Sequence, residues 1–274
     1  ASARQPAQGA GRRGGFRPAA HHQAVQAPSA ADERGVRPDG AGRAVRAVHL
    51  RHGVADPDAA RMRWKLQFRG LTKAEWLTLD HFVADHHGGV DGFTFLDPFT
   101  NLIASSEEFT STIWVRDPLL GVAAGQVDPW GTLRASRITN TGQAVQQMKQ
   151  RVNAPSNYTY SLSLWARSDS AAAVGVSVGG GEAGRYSLSQ TWQRIEVPVR
   201  PTGSYGYVDV ALSADPGIQA DICGIQLEAQ PASGPYCRTS AQAGVYLGAR
   251  FLGNSYTCIA RASDVFDADI EVIA

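Results

Sequence analysis

The sequence predicts a mainly β protein of two folded units, one containing a single packed α-helix and the other an antiparallel sandwich or jelly roll. Three observations predict it. A capped, amphipathic helix pattern lies between two short strand patterns over residues 64–95. Beyond residue 100, short alternating runs are separated by Gly, Asp, Pro and Ser, with no convincing helix. The 274 residues, 43% hydrophobic, suffice for two domains with cores.

Charge is divided unevenly along the chain. The formal net charge is +1, but residues 1–61 hold ten arginines against five acids, and the remainder sixteen bases against twenty acids. The basic arm is mostly Ala, Arg, Gly and Pro, with a single leucine, Leu50, and a single phenylalanine, Phe16. Such a stretch buries too little apolar area to offset chain entropy, so residues 1–61 are expected to be disordered or extended. Three readings of the arm stay open: docking on nucleic acid or an acidic neighbour, a tail without a partner, or GC-rich DNA translated in a shifted frame. The interleaved aromatics of nucleic-acid readers are missing and the body is acidic, so no nucleic-acid partner is expected. No apolar run approaches the ~18–20 residues of a membrane span, so membrane insertion is not expected either. Cys223, Cys237 and Cys258 have neither paired nor metal-type spacing, which suits a reducing compartment or burial.

The first unit begins at Arg63. Trp64-Lys65-Leu66-Gln67-Phe68-Arg69 alternates apolar and polar, the period of a strand with one buried face. Gly70 ends it. Thr72-Lys73-Ala74-Glu75 then reads as a capping box, with Leu71 and Trp76 as its hydrophobic staple. Trp76, Leu79, Phe82 and Val83 form one apolar stripe, so a helix is expected over residues 72–88, stopped by Gly88-Gly89. Phe93-Thr94-Phe95 is the next strand, and Asp97-Pro98 turns out of it. His81, Asp85, His86 and His87 cluster at the helix end. They lack the glutamate of a His-Glu-x-x-His site, and a helix C-terminus favours imidazoles through its dipole, so no metal site is expected.

These residues carry a resemblance. Trp64-x-Leu-x-Phe, Leu71-Thr72-x-x-Glu75-Trp76 and Phe93-x-Phe95-x-Asp97-Pro98 resemble phage distal-tail or minor tail proteins, over about 35 residues. The resemblance implies a small split β-barrel lined by Trp64, Leu66 and Phe68 and plugged by the helix. It further implies a ring of copies at the junction of tail tube and baseplate, contacting neighbouring tail-tube and baseplate proteins. The virion tail, assembled in the bacterial host cytoplasm, would be its location. That family has a strand-rich segment before the tryptophan strand, where this sequence has the Ala/Arg/Gly arm.

The second unit spans residues 101–240. Tyr158–Trp165 alternates for eight residues and should be a central strand. Val174-x-Val176-x-Val178, Ile195-x-Val197-x-Val199, Val208-x-Val210-x-Leu212 and Ile222–Leu227 follow, with Pro198 suggesting an edge position. The landmarks Asn101-Leu102-x-x-Ser105-Ser106-Glu107-x-Phe109, Trp165-Ala166-Arg167, Thr191-Trp192-Gln193-Arg194 and Gly224-Ile225-Gln226-Leu227-Glu228 resemble galactose-binding-like, carbohydrate-binding-module jelly rolls. That resemblance implies a non-catalytic, lectin-like sandwich for a host cell-surface glycan. Trp165 and Trp192 lie in strand patterns and are expected in the core. Trp114 and Trp130 sit in loop-like, Asp/Pro-flanked stretches and are the candidate sugar-stacking residues. Glu182, Asp209 and Asp215 could ligate calcium, but no Asp-x-Asp loop supports it.

Residues 241–274 read as two further strands, Val245–Phe251 and Tyr256–Ala262, around Gly253-Asn254. Tail proteins of the first family end in a similar hairpin. The expectation is therefore a discontinuous barrel of residues 62–100 and 241–274 interrupted by the sandwich, with Pro98 and Val245 near one another in space. Loop insertion is tolerated because closure entropy grows slowly with length.

No His-Glu-x-x-His or phosphate-loop motif appears, Gly179-Gly180-Gly181-Glu182 lacks the following lysine and helix that a phosphate cradle needs, and the adjacent Glu107-Glu108 side chains diverge, so no catalytic residues, cofactor or enzymatic activity are expected. The resulting expectation is a structural tail component displaying a lectin-like domain; the alternative is a tail protein dedicated to binding host-surface glycan.

Overall fold

A computed structural model describes residues 46–51, 62–87, 89–253 and 255–274. The expectations for residues 1–45 and 52–61 lie outside the described residues. Within the arm, Arg46–Arg51 runs extended as strand β1, antiparallel to β2 (Met62–Leu71). The alternation expected of β2 is present: Trp64, Leu66 and Phe68 are buried and the residues between them are not.

Helix α1 spans Lys73–Asp85. The Thr72 hydroxyl accepts from the Glu75 amide at 3.4 Å and the Glu75 carboxylate accepts from the Thr72 amide at 2.9 Å, closing both halves of the capping box. Leu79, Phe82 and Val83 are its buried face. The helix stops before the expected glycines. His86 turns its ring back to the Phe82 carbonyl at 2.8 Å, and His87 takes the left-handed conformation (φ 47°) usually left to glycine. His87 also bonds Asp91 at 2.6 Å. His86 and His87 are thus engaged locally, and among the described residues no group of three or more metal-ligating side chains is assembled.

Strand β3 (Phe93–Leu96) closes the first segment. Ten strands follow: β4 (Val115–Arg116), β5 (Leu120–Gln126), β6 (Ala135–Asn140), β7 (Gln146–Val152), β8 (Tyr160–Arg167), β9 (Ala172–Val178), β10 (Gly181–Leu188), β11 (Gln193–Val199), β12 (Val208–Ala214) and β13 (Gln219–Glu228). They form two antiparallel five-stranded sheets, ordered β10-β9-β12-β7-β4 and β11-β8-β13-β6-β5, which is a β-sandwich consistent with a jelly roll. β11, which carries Pro198, lies at a sheet edge, where a residue without an N–H is tolerated. One continuous core fills the space between the sheets, including Tyr160, Leu162 and Leu164 of β8 and Ile222, Ile225 and Leu227 of β13.

The chain then returns to the first sheet as β14 (Val245–Phe251), β15 (Thr257–Ala262) and β16 (Val265–Ile273). That sheet runs β1-β2-β16-β14-β3, with β15 paired to β16, and α1 packs on β2 and β16. Three strands, β14 to β16, stand where two were expected; in the third, buried Ala268, Ile270 and Val272 alternate with half-buried Asp269 and Glu271. Val245 is the register partner of Leu96, two residues before Pro98. The pair straddles both units: Phe93 and Phe95 join the core under the helix, while Leu96 and Val245 pack on the sandwich core. A bulge at Gly248 (φ 82°) lets β14 pass Gly92, whose added Cβ would lie 2.9 Å from the Gly248 Cα. Among the described residues, no helix is long and apolar enough to cross a membrane.

Candidate carbohydrate-contact site

The two tryptophans expected to stack on sugar part company. Trp114 is 2% exposed, packs on Phe109 at 5.5 Å between ring centroids, and donates Nε1–H to the Ser105 carbonyl at 3.2 Å. Its faces belong to the sandwich core, so it is excluded as a stacking residue. Flanking Asp and Pro residues mislead here, because the chain before β4 tucks under the sandwich rather than over it.

Trp130 is 47% exposed. Its loop is built around Asp128, a buried side chain whose carboxylate accepts from the amides of Trp130 and Thr132, each at 2.9 Å, from the Thr132 hydroxyl, and from Arg134 Nε at 3.1 Å. Burial alone would raise the Asp128 pKa. The Thr132 hydroxyl and amide, the Trp130 amide and the Arg134 charge outweigh it and hold the group below the ordinary carboxylate range. An ionised Asp128 therefore pins the turn that turns Trp130 outward.

Beneath it lies an aromatic platform. Trp130 stacks on Tyr236 at 5.7 Å with planes 16° apart, and meets Trp165 edge-on at 5.9 Å. The alternation of β8 explains Trp165: Tyr160, Leu162 and Leu164 point into the core, so Trp165 falls on the outer face. It was expected in the core and instead is half-buried in this patch, its indole N–H unpartnered. Trp192, expected in the core as well, is half-buried beneath the Arg167 guanidinium at 4.9 Å. A bulge in β13 at Gly224 (φ 61°) makes room: a Cβ there would stand 3.2 Å from Tyr236 and 3.4 Å from Trp165.

Charged groups surround the platform. The Arg134 guanidinium lies 5.4 Å from the Trp130 ring centre and 3.4 Å from Glu107, whose carboxylate also takes Arg238 at 2.8 Å. Glu107 is buried, and two guanidinium groups compensate it. The Tyr236 hydroxyl bonds Ser106 at 2.8 Å, which orients the ring under Trp130. Burial, reinforced by Glu107 and Asp128, pushes the Cys223 thiol up to about 12, so it stays protonated and unreactive. The arrangement presents a rigid aromatic face rimmed by arginine donors, suited to a polyhydroxylated ligand that offers C–H faces and hydroxyls. Trp130, the sequence candidate, stands here with Tyr236 and Arg134, which were not candidates and which only the exit segment and the loop closure bring to it.

Of the three candidate calcium ligands, the two described carboxylates are each committed to an arginine. Asp209 pairs with Arg151 at 2.8 Å and Asp215 pairs with Arg185, while the Glu182 side chain lies outside the described residues.

No family model matches the chain, and no curated protein matches it. Among solved structures, the C-terminal family 22 carbohydrate-binding module of Clostridium thermocellum Xyn10B is similar at 13% identity and TM-score 0.41, over 51% of this chain and 99% of the module. TmCBM61, solved with beta-1,4-galactotriose, is similar at 15% identity and TM-score 0.38, over 47% and 99%. The enzymatically active domain of bacteriophage CBA120 tailspike protein 4 is similar at 13% identity and TM-score 0.39, over 50% of this chain and 22% of that one. The chain therefore spans about a fifth of the tailspike chain and nearly all of each module.

Proposed function

We propose that the sandwich is a non-catalytic saccharide-binding module whose contact residue is Trp130, borne on a tail-type split barrel within a phage or prophage virion tail. The half-exposed indole, fixed by Asp128 and backed by Tyr236, carries the reading. Aromatic anchors dominate such contacts because they contribute large area with little conformational freedom to lose. Trp130→Ala is expected to weaken binding of the bound glycans by at least about tenfold, or roughly 1.4 kcal/mol, on a glycan array and by calorimetry. Circular dichroism should be unchanged, since the ring is outside the core. Undiminished glycan binding by this variant would rule out the site.

The structural reading rests on a separate observation. The six-stranded sheet with one helix joins the sandwich through adjacent strands β3 and β14, as a loop insertion requires. Strand β15 is exposed along its whole length, including Ile259, and pairs only with β16 among the described residues. An uncovered edge of this kind is a template for pairing with another copy, and pairing with a different surface of the next copy builds a ring when the rotation closes. Light scattering of the full chain is expected to give one fixed stoichiometry above the monomer. A monomer at every concentration tested would remove the ring.

A further inference from the structure

The outer face of the sheet β10-β9-β12-β7-β4 carries a groove of about 370 Å³, on the opposite side of the sandwich from Trp130. Its shape follows from register. Across the central strands, Ala211 of β12 pairs with Ser177 of β9, and Ser213 with Gly175, so the floor has no side chain larger than a hydroxymethyl. The next strand outward is long and polar: Lys149 stands opposite Ala211, Gln147 opposite Ser213 and Arg151 opposite Asp209. On the other side Arg185 of β10 stands opposite Gly175. Alternate residues of the same strands, such as Met148, Val176 and Leu212, are core, so the groove rests on a rigid base.

Its electrostatics are asymmetric. Arg151 is held by Asp209 through two hydrogen bonds of 2.8 and 2.9 Å and lies 3.8 Å from the Tyr207 ring centre. Arg185 is held by Asp215. Lys149 is exposed and forms no ion pair with a described residue, its charge reaching the Asp209 carboxylate only at longer range. The groove thus offers one uncommitted cation beside an amide, hydroxyls and a fixed carboxylate. That set matches a sugar ring bearing one carboxylate, with Gln147, Ser177 and Ser213 for its hydroxyls. A polyphosphate fits poorly, because Asp209 and Asp215 repel it and the groove holds no aromatic ring on which a base could stack.

We infer that this groove is a second saccharide site, selective for acidic sugars, with Lys149 receiving the carboxylate. It shares no residue with the Trp130 surface, so the two readings fail separately. The test is calorimetry of the full chain with galacturonate and sialyl oligosaccharides, their neutral counterparts, and a single-stranded DNA oligomer. One acidic series should bind and its neutral counterpart should not. Lys149→Ala should weaken that binding about fivefold or more, Lys149→Arg should largely keep it, and added salt should weaken it. Trp130→Ala should leave it unchanged. The inference is overturned if neither acidic series binds, if Lys149→Ala binds as tightly as the parent, if Trp130→Ala abolishes the binding, or if the DNA oligomer binds as well as the sugars.

Discussion

Trp64→Ala is expected to lower the stability of the helix-bearing unit by about 4 kcal/mol, the range for removing a fully buried tryptophan. The indole has no exposed surface and lies at 4.8 Å from Phe95 and 4.7 Å from Tyr246. Its Nε1–H donates to Asp97 at 3.1 Å, so the substitution also strips a buried carboxylate of a donor. Strands β2, β3 and β14, far apart in sequence, meet at this one ring, and no neighbour can collapse into the space without breaking their register. The sandwich core shares no residue with the core around Trp64. Urea unfolding followed by near-ultraviolet circular dichroism should therefore show an early transition while the sandwich transition keeps its midpoint. A loss below about 1 kcal/mol would mean that Trp64 is not the keystone of its unit.

Asn101→Ala is expected to destabilise the junction between the units by about 3 kcal/mol or more, since each buried backbone group left without a partner costs about 1–3 kcal/mol. Asn101 is fully buried where the chain enters the sandwich. Its side-chain carbonyl accepts from the amides of Ile103 at 2.9 Å and Leu227 at 3.0 Å, and its amide donates to the Ile225 carbonyl at 2.8 Å. Its backbone carbonyl accepts from Gly244 at 2.9 Å, tying the entry to the exit. One residue thus clamps the first strand-like segment, the last sandwich strand and the return to β14. Hydrogen exchange should show the amides of Ile103 and Leu227 losing protection first in the variant. Unchanged protection there would show that the clamp is redundant.

How much of this was legible in the chain differs from element to element. The capping box at Thr72 and Glu75 is local, so the helix start was readable; its end depended on His86 reaching back to Phe82. The alternating strands β8, β9, β11, β12 and β13 announced themselves because one face of each is apolar. Strands β5, β6 and β7 did not. β7 reads Gln-Gln-Met-Lys-Gln-Arg-Val, and its inward Gln150 is buried only because its amide pairs both backbone groups of Ala104, a partner 46 residues away. For the candidate site, Trp130 and Trp114 stand in similar turn-like stretches, yet only Trp130 reaches solvent while Trp114 is buried.

The sequence by itself determined a mainly β chain with one capped helix, the interruption between residues 100 and 240, and an acidic body behind a basic arm. Those properties rest on period, capping and composition, all of which act within a few residues. The tertiary structure alone decided which tryptophan meets solvent, which strands share a sheet and where the groove lies. Burial and register are set by partners distant in the chain: a residue's neighbours one strand over, such as Ala211 beside Lys149, are invisible to any reading along it.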